Sequence, residues 1–243
     1  MALWGLAGEG LSARVQRMRK LYHLPLCPFS RASRLALAEK RLDVTLVEEP
    51  VWEEREEFLA LNPGGNVPVF VDENGAVIVT SLAIGEYLED AYGQGEGYSP
   101  LIPGTPAERA EVRRLIAWFD GKFHDEVTAN IVYEKVDKRL MKAGEPFMPY
   151  IREGLHNIRE HLGYIAHLAE RGTWLAGRGF SLADIVASAH LSCIDYLGDV
   201  PWAAYESAKE WYVRVKSRPA FRTLLTDRVA GMVPPGHYAD LDF

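Results

Sequence analysis

The chain has 243 residues, 48% of them hydrophobic and 25% charged, and carries a net charge of −7. That length suits two domains better than one. The acidic balance supplies no basic face for nucleic acid and no polybasic anchor for anionic lipid.

Residues 1–17, MALWGLAGEGLSARVQR, lack the apolar core and cleavage site of a secretory leader. They are read as an N-terminal extension, with Met18 as an alternative start. No apolar run approaches the ~20 residues needed to cross a bilayer, so direct membrane insertion is not expected and a cytoplasmic chain is. The two cysteines, Cys27 and Cys193, are too few and too far apart for a disulfide framework or a zinc site. The histidines show no metal spacing either: His156 and His161 are five apart and do not share a helix face.

Residues 19–24 read as a short buried strand. From Pro28 to about Arg41, Leu35, Ala38 and Leu42 recur at helical spacing, and Pro28 suits a first helical turn. DVTLVEE (43–49) alternates as a second strand. WEEREEFLAL reads as one short acidic helix, stopped by Asn62-Pro63-Gly64-Gly65. VPVFV and AVIV follow as strands, and the Asn74-Gly75 pair between them signals a hairpin turn. SLAIGEYLEDAY is a helix with Ser81 near its start. The order βαβ, helix, ββα is that of a thioredoxin-like domain, here residues 18–92.

GQGEGYSPLIPGTP (93–106) holds four glycines and three prolines and reads as a linker. Beyond it the pattern is helical over 107–228. One long helix is expected from about Pro106 to Met141 and another from about Pro146 to Arg171. SLADIVASAHLSCIDYL makes a third and roughly Trp202 to Ser217 a fourth, with a short last one from Pro219. In FSLADI, Ser181 and Asp184 have capping-box spacing, a folding signal. Residues 229–243 form a tail punctuated by prolines.

Three places offer chemistry. In Cys27-Pro28-Phe29-Ser30, a thiol at a helix N-terminus feels the positive end of the dipole, which favours thiolate, and a serine hydroxyl there can donate to a bound thiolate. Equally, Ser30 can cap backbone amides and Cys27 can be a packed residue. Val67-Pro68 precedes a buried strand; a cis bond there would turn the Val67 backbone toward an extended peptide, whereas a trans proline would simply start the strand. Ser81 can hold a carboxylate at a helix N-terminus or serve as a plain N-cap.

Taken together, CPFSR after the first strand, LNPGGNVPVF, TSLAIGEYL, the Pro/Gly linker, FSLADI and SRPAF resemble the glutathione transferase family over residues 19–228. The resemblance implies a thioredoxin-like domain followed by an all-α domain, with Pro68 cis. It implies that Ser30 or Cys27 activates the glutathione thiol, that Val67 pairs with the glutathione backbone, and that Ser81 holds the γ-glutamyl carboxylate. CPFS is similar to the glutaredoxin-like and omega-type pattern, which would suit a transferase or a thiol-disulfide reductase. One residue departs: the family usually has an acid before that serine, and here it is Thr80. Losing a charge-assisted hydrogen bond of roughly 1.5–3 kcal/mol weakens glutathione binding about ten- to hundredfold. The site is therefore read as vestigial, with no cofactor required.

LYHLPLCPFSR, VWEEREEFLALNP and the tail PPGHYADLDF resemble, more narrowly, an alphaproteobacterial branch of the family that binds the tubulin-like division protein FtsZ. That resemblance implies a non-catalytic homodimer at the division site that binds FtsZ filaments, favours their curvature and supports constriction. Candidate partner residues are Trp52 at the head of the acidic helix, Glu134 beside Tyr133, and the tail residues Tyr238, Asp240, Asp242 and Phe243. Aromatics interleaved with acids suit a docking peptide, for FtsZ or for a second division protein. The tail folded back over the helical domain, and a buried Trp52, are the alternatives.

Overall fold

The computed structural model describes residues 18–93 and 99–241. The N-terminal extension, the middle of the linker, and Asp242 and Phe243 lie outside the described residues.

Four strands form one sheet in the order β2-β1-β3-β4. The central strand β1 (Lys20–His23) pairs parallel with β2 (Thr45–Glu48) and antiparallel with β3 (Val69–Val71), which pairs antiparallel with β4 (Val77–Val79). Leu21 lies between Leu46 and Phe70 in register, and both Leu21 and Phe70 are fully buried. The β3–β4 turn needs a left-handed residue, and Gly75 supplies it at φ 87°. The crossover helix α1 (Pro28–Glu39) starts on the proline whose missing N–H costs a helix nothing at that position.

The expected acidic helix is two pieces. Val51–Glu53 makes a 3₁₀ turn, Glu54 turns left-handed (φ 47°, ψ 43°), and α2 runs only over Glu56–Leu59. The break leaves Arg55 extended, where its guanidinium pairs with the fully buried Glu49. A buried carboxylate without that cation would be costly. The helix α3 (Ser81–Tyr92) closes this half. Its N-cap is Thr80, whose hydroxyl accepts the Ala83 N–H at 3.3 Å, so Ser81 is not the cap.

In the helical half, α4 (Pro106–Ala117) opens with a Thr105–Glu108 capping box. It continues as a π-helical stretch, Trp118–Asp137, and ends as α5 (Lys138–Leu140), matching the single long helix expected there. The next helix, α6 (Met148–Arg171), crosses it at Gly154, where a Cβ would lie 2.7 Å from Ile131 Cγ1. Every residue of α7 (Leu182–Tyr196) is buried. Asp184 ties its start by accepting N–H bonds from Ser181 (3.0 Å), Leu175 (2.9 Å) and the Trp211 indole (2.9 Å). The helix expected from Trp202 divides into a 3₁₀ turn, Trp202–Ala204, and α8 (Glu206–Lys216), because Tyr205 leaves helical geometry at φ −140°. A 3₁₀ turn, Pro219–Phe221, leads into the last helix, α9 (Arg222–Leu225).

One apolar core runs through both halves, from Leu21, Leu35 and Ile84 to Leu182 and Ile185, with α1 packed on α7. Two of the buried cations, Lys40 and Arg31, tie distant segments across it. Lys40 Nζ donates to Glu89 Oε2 (3.0 Å) and to the Ser99 carbonyl (3.1 Å), while Glu89 also accepts the Leu101 N–H (2.8 Å). Arg31, with no exposed surface, donates to the Pro25 carbonyl, Ser192 Oγ, Tyr238 OH and Asp227 Oδ2.

That last cluster settles the described tail as folded back. Tyr238 is fully buried, donates to the Leu224 carbonyl at 3.1 Å and meets Tyr196 edge-on. It is an anchor under the tail and does not present an aromatic ring to a partner. Asp240 remains exposed.

Candidate functional site

The parallel strand β1 runs out into Leu24-Pro25-Leu26, and Cys27 follows as the extended N-cap of α1. Its carbonyl takes the first helical bond, from Arg31 N–H at 3.0 Å. The thiol faces a cleft of about 450 Å³ between the two halves of the molecule. Leu24, Phe29 and Val51 wall one side and Val132, Tyr133 and Tyr150 the other. Cys27, Asn66, His124, Asn130, Glu134 and Asp137 supply most of the polar lining.

The expectation of a thiolate at this helix end does not hold. Burial pushes the Cys27 thiol up. Hydrogen bonds from the Ser30 side chain and from the Phe29 and Ser30 amides pull it down without overcoming burial, and the Asp137 charge adds to the upward push. Ser30 itself is fully buried, and its Oγ accepts the Leu24 N–H at 3.3 Å, bracing the loop beneath the cleft.

Opposite Cys27, Asn62 organises LNPGGN. Its side chain holds the Asn66 carbonyl (2.7 Å), the Asn66 side chain (2.8 Å) and the Gly64 N–H (3.0 Å). This sets Asn66 and Val67 on the cleft wall, and the Val67-Pro68 bond is cis, as expected. Pro68 is buried behind it.

The other half of the expected site is turned elsewhere. Neither Thr80 nor Ser81 lines the cleft. Thr80 is exposed and capping α3 from φ 75°. Ser81 is buried and donates to Asp120 Oδ2 at 3.2 Å. Asp120 Oδ1 meets His190 Nε2 at 3.2 Å, and His190 Nδ1 meets Thr128 Oγ1 at 2.9 Å. The Ser81 hydroxyl thus ends a polar chain linking the two halves.

Of the candidate partner residues, Trp52 is half-buried next to the cleft residue Val51. Glu134 is not an exposed charge. It is buried, and its Oε2 accepts from Lys138 Nζ and from the Phe147 N–H, both at 2.6 Å. That bond starts α6 with Phe147, Met148 and Tyr150 half exposed (50%, 51% and 50%), beside Tyr133 at 44%. Phe147 and Tyr150 pack edge to face, 5.1 Å between centroids. Glu134 therefore positions an apolar rim on the cleft.

Two cleft residues escape a reading of the sequence. His124 packs tilted against Phe29, 4.8 Å between ring centroids, and is held below its usual range by burial and by His190; its Nδ1 has no hydrogen-bond partner among the described residues. Asp137 is pushed up to about 6 by burial alone. The one available signal is helical spacing: Asn130, Tyr133 and Asp137 share a face by their i, i+3, i+7 positions.

The N-terminal domain model of glutathione S-transferases matches residues 21–96, and the C-terminal domain model matches 133–219. FtsZ-localized protein A of Caulobacter vibrioides is 49% identical over 228 residues, covering 93% of this chain and 98% of that protein. Among solved structures, a glutathione S-transferase from Rhodospirillum rubrum F11 superposes with a TM-score of 0.90 at 53% identity, covering 93% of this chain and all of that one (100%). FzlA from C. crescentus superposes with a TM-score of 0.88 at 48% identity, with coverage of 93% and 100%.

Proposed function

The chain belongs to the glutathione S-transferase family, and from that premise we propose that it is a non-catalytic homodimeric scaffold that binds FtsZ filaments, promotes their curvature and regulates constriction at the division site. The observation that carries this reading is the likeness to FtsZ-localized protein A along nearly the whole of both chains.

The site chemistry supports it. The Cys27 thiol is pushed up, the Ser30 hydroxyl braces a loop, and the Ser81 hydroxyl is taken by Asp120. A glutathione molecule would have to displace such bonds and would find no acid at Thr80 for its ammonium group. The half-exposed rim of Tyr133, Phe147, Met148 and Tyr150 suits a protein contact, since aromatic and methionine side chains dominate interface cores. In this reading Glu134 acts by holding Phe147, and Trp52 flanks the other lip. A two-fold dimer presents the rim twice, so modest single-site affinity gains from avidity on a filament. The tail residues Asp240, Asp242 and Phe243 are the candidates for contact with a second division protein.

Co-sedimentation with GTP-assembled FtsZ, with and without glutathione, tests the proposal. Saturable pelleting indifferent to glutathione is expected; absence of pelleting would overturn it. A second reading, a glutathione-dependent transferase or thiol-disulfide reductase, draws on the Cys27 thiol facing the cis Val67-Pro68 wall. Glutathione conjugation or disulfide reduction lost in Cys27→Ala/Ser30→Ala would favour it.

A further inference from the structure

We propose that the outer edge of β2 is a docking site for an extended peptide that ends in an apolar residue with a free carboxylate, added to the sheet as an antiparallel strand. The proposal stands apart from the FtsZ reading, and the cavity it uses shares no lining residue with the interdomain cleft.

The sheet order gives β2 a neighbour, β1, on one side only. The Thr45 N–H donates to the Arg19 carbonyl and the Glu49 N–H to the His23 carbonyl, so the odd-numbered residues of this strand serve the ladder. The alternation of a strand then turns the N–H and C=O of Leu46 outward, with those of Val44 and Glu48 on either side of it. An edge with free backbone groups is a template for a further strand.

A cavity of about 370 Å³ lies beside that edge. Val44 and Leu46 line it with Ala38 and Leu42, and Leu46 is 41% exposed. Residues paired across antiparallel strands share a face, so a peptide residue opposite Leu46 sets its side chain on the cavity side, as does the residue two further on, opposite Val44. Arg41 stands at that end, exposed, in left-handed geometry (φ 54°) and lining the same cavity. Among the described residues its guanidinium has no carboxylate partner. Arg34, buried in the same lining, is held by Asp227 and the Thr223 carbonyl and adds no unpaired charge.

An antiparallel peptide has its C-terminus at the Arg41 end, where the terminal carboxylate meets the free guanidinium. Asp43, exposed on the same rim, repels that carboxylate. Its repulsion is undirected and screened by water, and is smaller than a bidentate guanidinium–carboxylate bond. A parallel peptide would turn its N-terminus toward Asp43 instead, in the weaker pairing.

The test uses the full chain and fluorescein-labelled Gly-Ser-Lys-Val-Thr-Leu, read by anisotropy at pH 7.5. Saturable binding is expected, with the leucine opposite Val44 and the valine opposite Leu46. Amidating the C-terminus, replacing valine and leucine by serine, or N-methylating the valine, whose amide donates to the Leu46 carbonyl, should each weaken binding at least about tenfold. N-methylating the threonine, whose amide faces away, should change it less than about twofold. Arg41→Gln should make the acid and amide peptides bind alike, and Asp43→Asn should tighten the acid a few-fold. Absence of saturable binding, equal binding of acid and amide by the wild-type chain, equal effects of the two methyl groups, or weakening by Asp43→Asn with none by Arg41→Gln would each overturn the proposal. A change of oligomeric state in Leu46→Lys, read by sedimentation, would assign the edge to a second copy of the chain and overturn it as well. The amide and methyl comparisons need no variant, so an unstable Arg41→Gln does not rescue it.

Discussion

Helix α1 carries two polar clusters one turn apart, and they are built on opposite plans. On the side facing α7, Arg31 has lost all contact with solvent, yet a carbonyl, two hydroxyls and a carboxylate satisfy it. On the side facing the cleft, beyond Cys27, Asp137 and His124 keep incomplete sets of partners among the described residues. Polar groups that hold a fold together are closed off by the chain itself. Groups left incomplete around a cavity are where a ligand or partner can add something. The Arg31 end pins both halves and the tail.

Breaking the closed cluster should have the largest effect. Arg31→Ala removes four hydrogen bonds at once and leaves Tyr238 OH and Ser192 Oγ buried without that donor. Urea unfolding should show a loss of about 4 kcal/mol, with the tail becoming sensitive to protease. The second buried cation comes next. Glu89→Gln removes the carboxylate charge opposite the buried Lys40 and should cost about 3 kcal/mol at pH 7. Burial alone would raise Glu89, but the Leu101 N–H and Lys40 outweigh it and hold the carboxyl below its usual range. Its contribution is therefore complete above the ordinary carboxylate range and is lost as pH falls through the lowered value. The melting temperatures of wild type and Glu89→Gln should accordingly converge toward acid pH.

The open cluster should respond with the opposite sign and a smaller size. Asp137 is raised to about 6, so its ionised form opposes folding above that pH and has no effect below the ordinary aspartate range. Asp137→Asn should stabilise the chain by about 1–2 kcal/mol at pH 7.5 and by nothing measurable at pH 3.5, read from thermal melts across that window. Equal effects at both pH values would show that the carboxyl is not strained by burial.

The legible parts of the sequence were those carried by local rules. Pro28 at a helix start, Asn74-Gly75 in a hairpin, Ser181 and Asp184 at the head of α7, and the alternation of the short strands all act within a few residues. The two-domain order was legible in the element pattern and the 93–106 linker, and the cis Val67-Pro68 bond only as part of a motif set. What stayed hidden depends on distant partners. Tyr238 reads as an exposed docking residue until Arg31, 207 positions earlier in the chain, is seen to hold it. Glu134 reads as a surface charge until the Phe147 N–H is seen to need it. The acidic helix looks continuous until Glu49 is found buried and in want of Arg55. At Ser81, spacing favoured a cap or a ligand contact, and the bond to Asp120 from the other half of the chain displaced both. Asp137 carried no signal beyond helical spacing, because its character comes from partners that are missing.

The scaffold reading is tested most directly by pelleting two double variants with GTP-assembled FtsZ. Cys27→Ala/Ser30→Ala alters the thiol end of α1, and Phe147→Ser/Met148→Ser alters the rim that Glu134 positions. The scaffold account predicts that the first pellets as the wild type does and that the second weakens at least about tenfold while remaining folded. Loss of pelleting in the first, with the second unaffected, would contradict it.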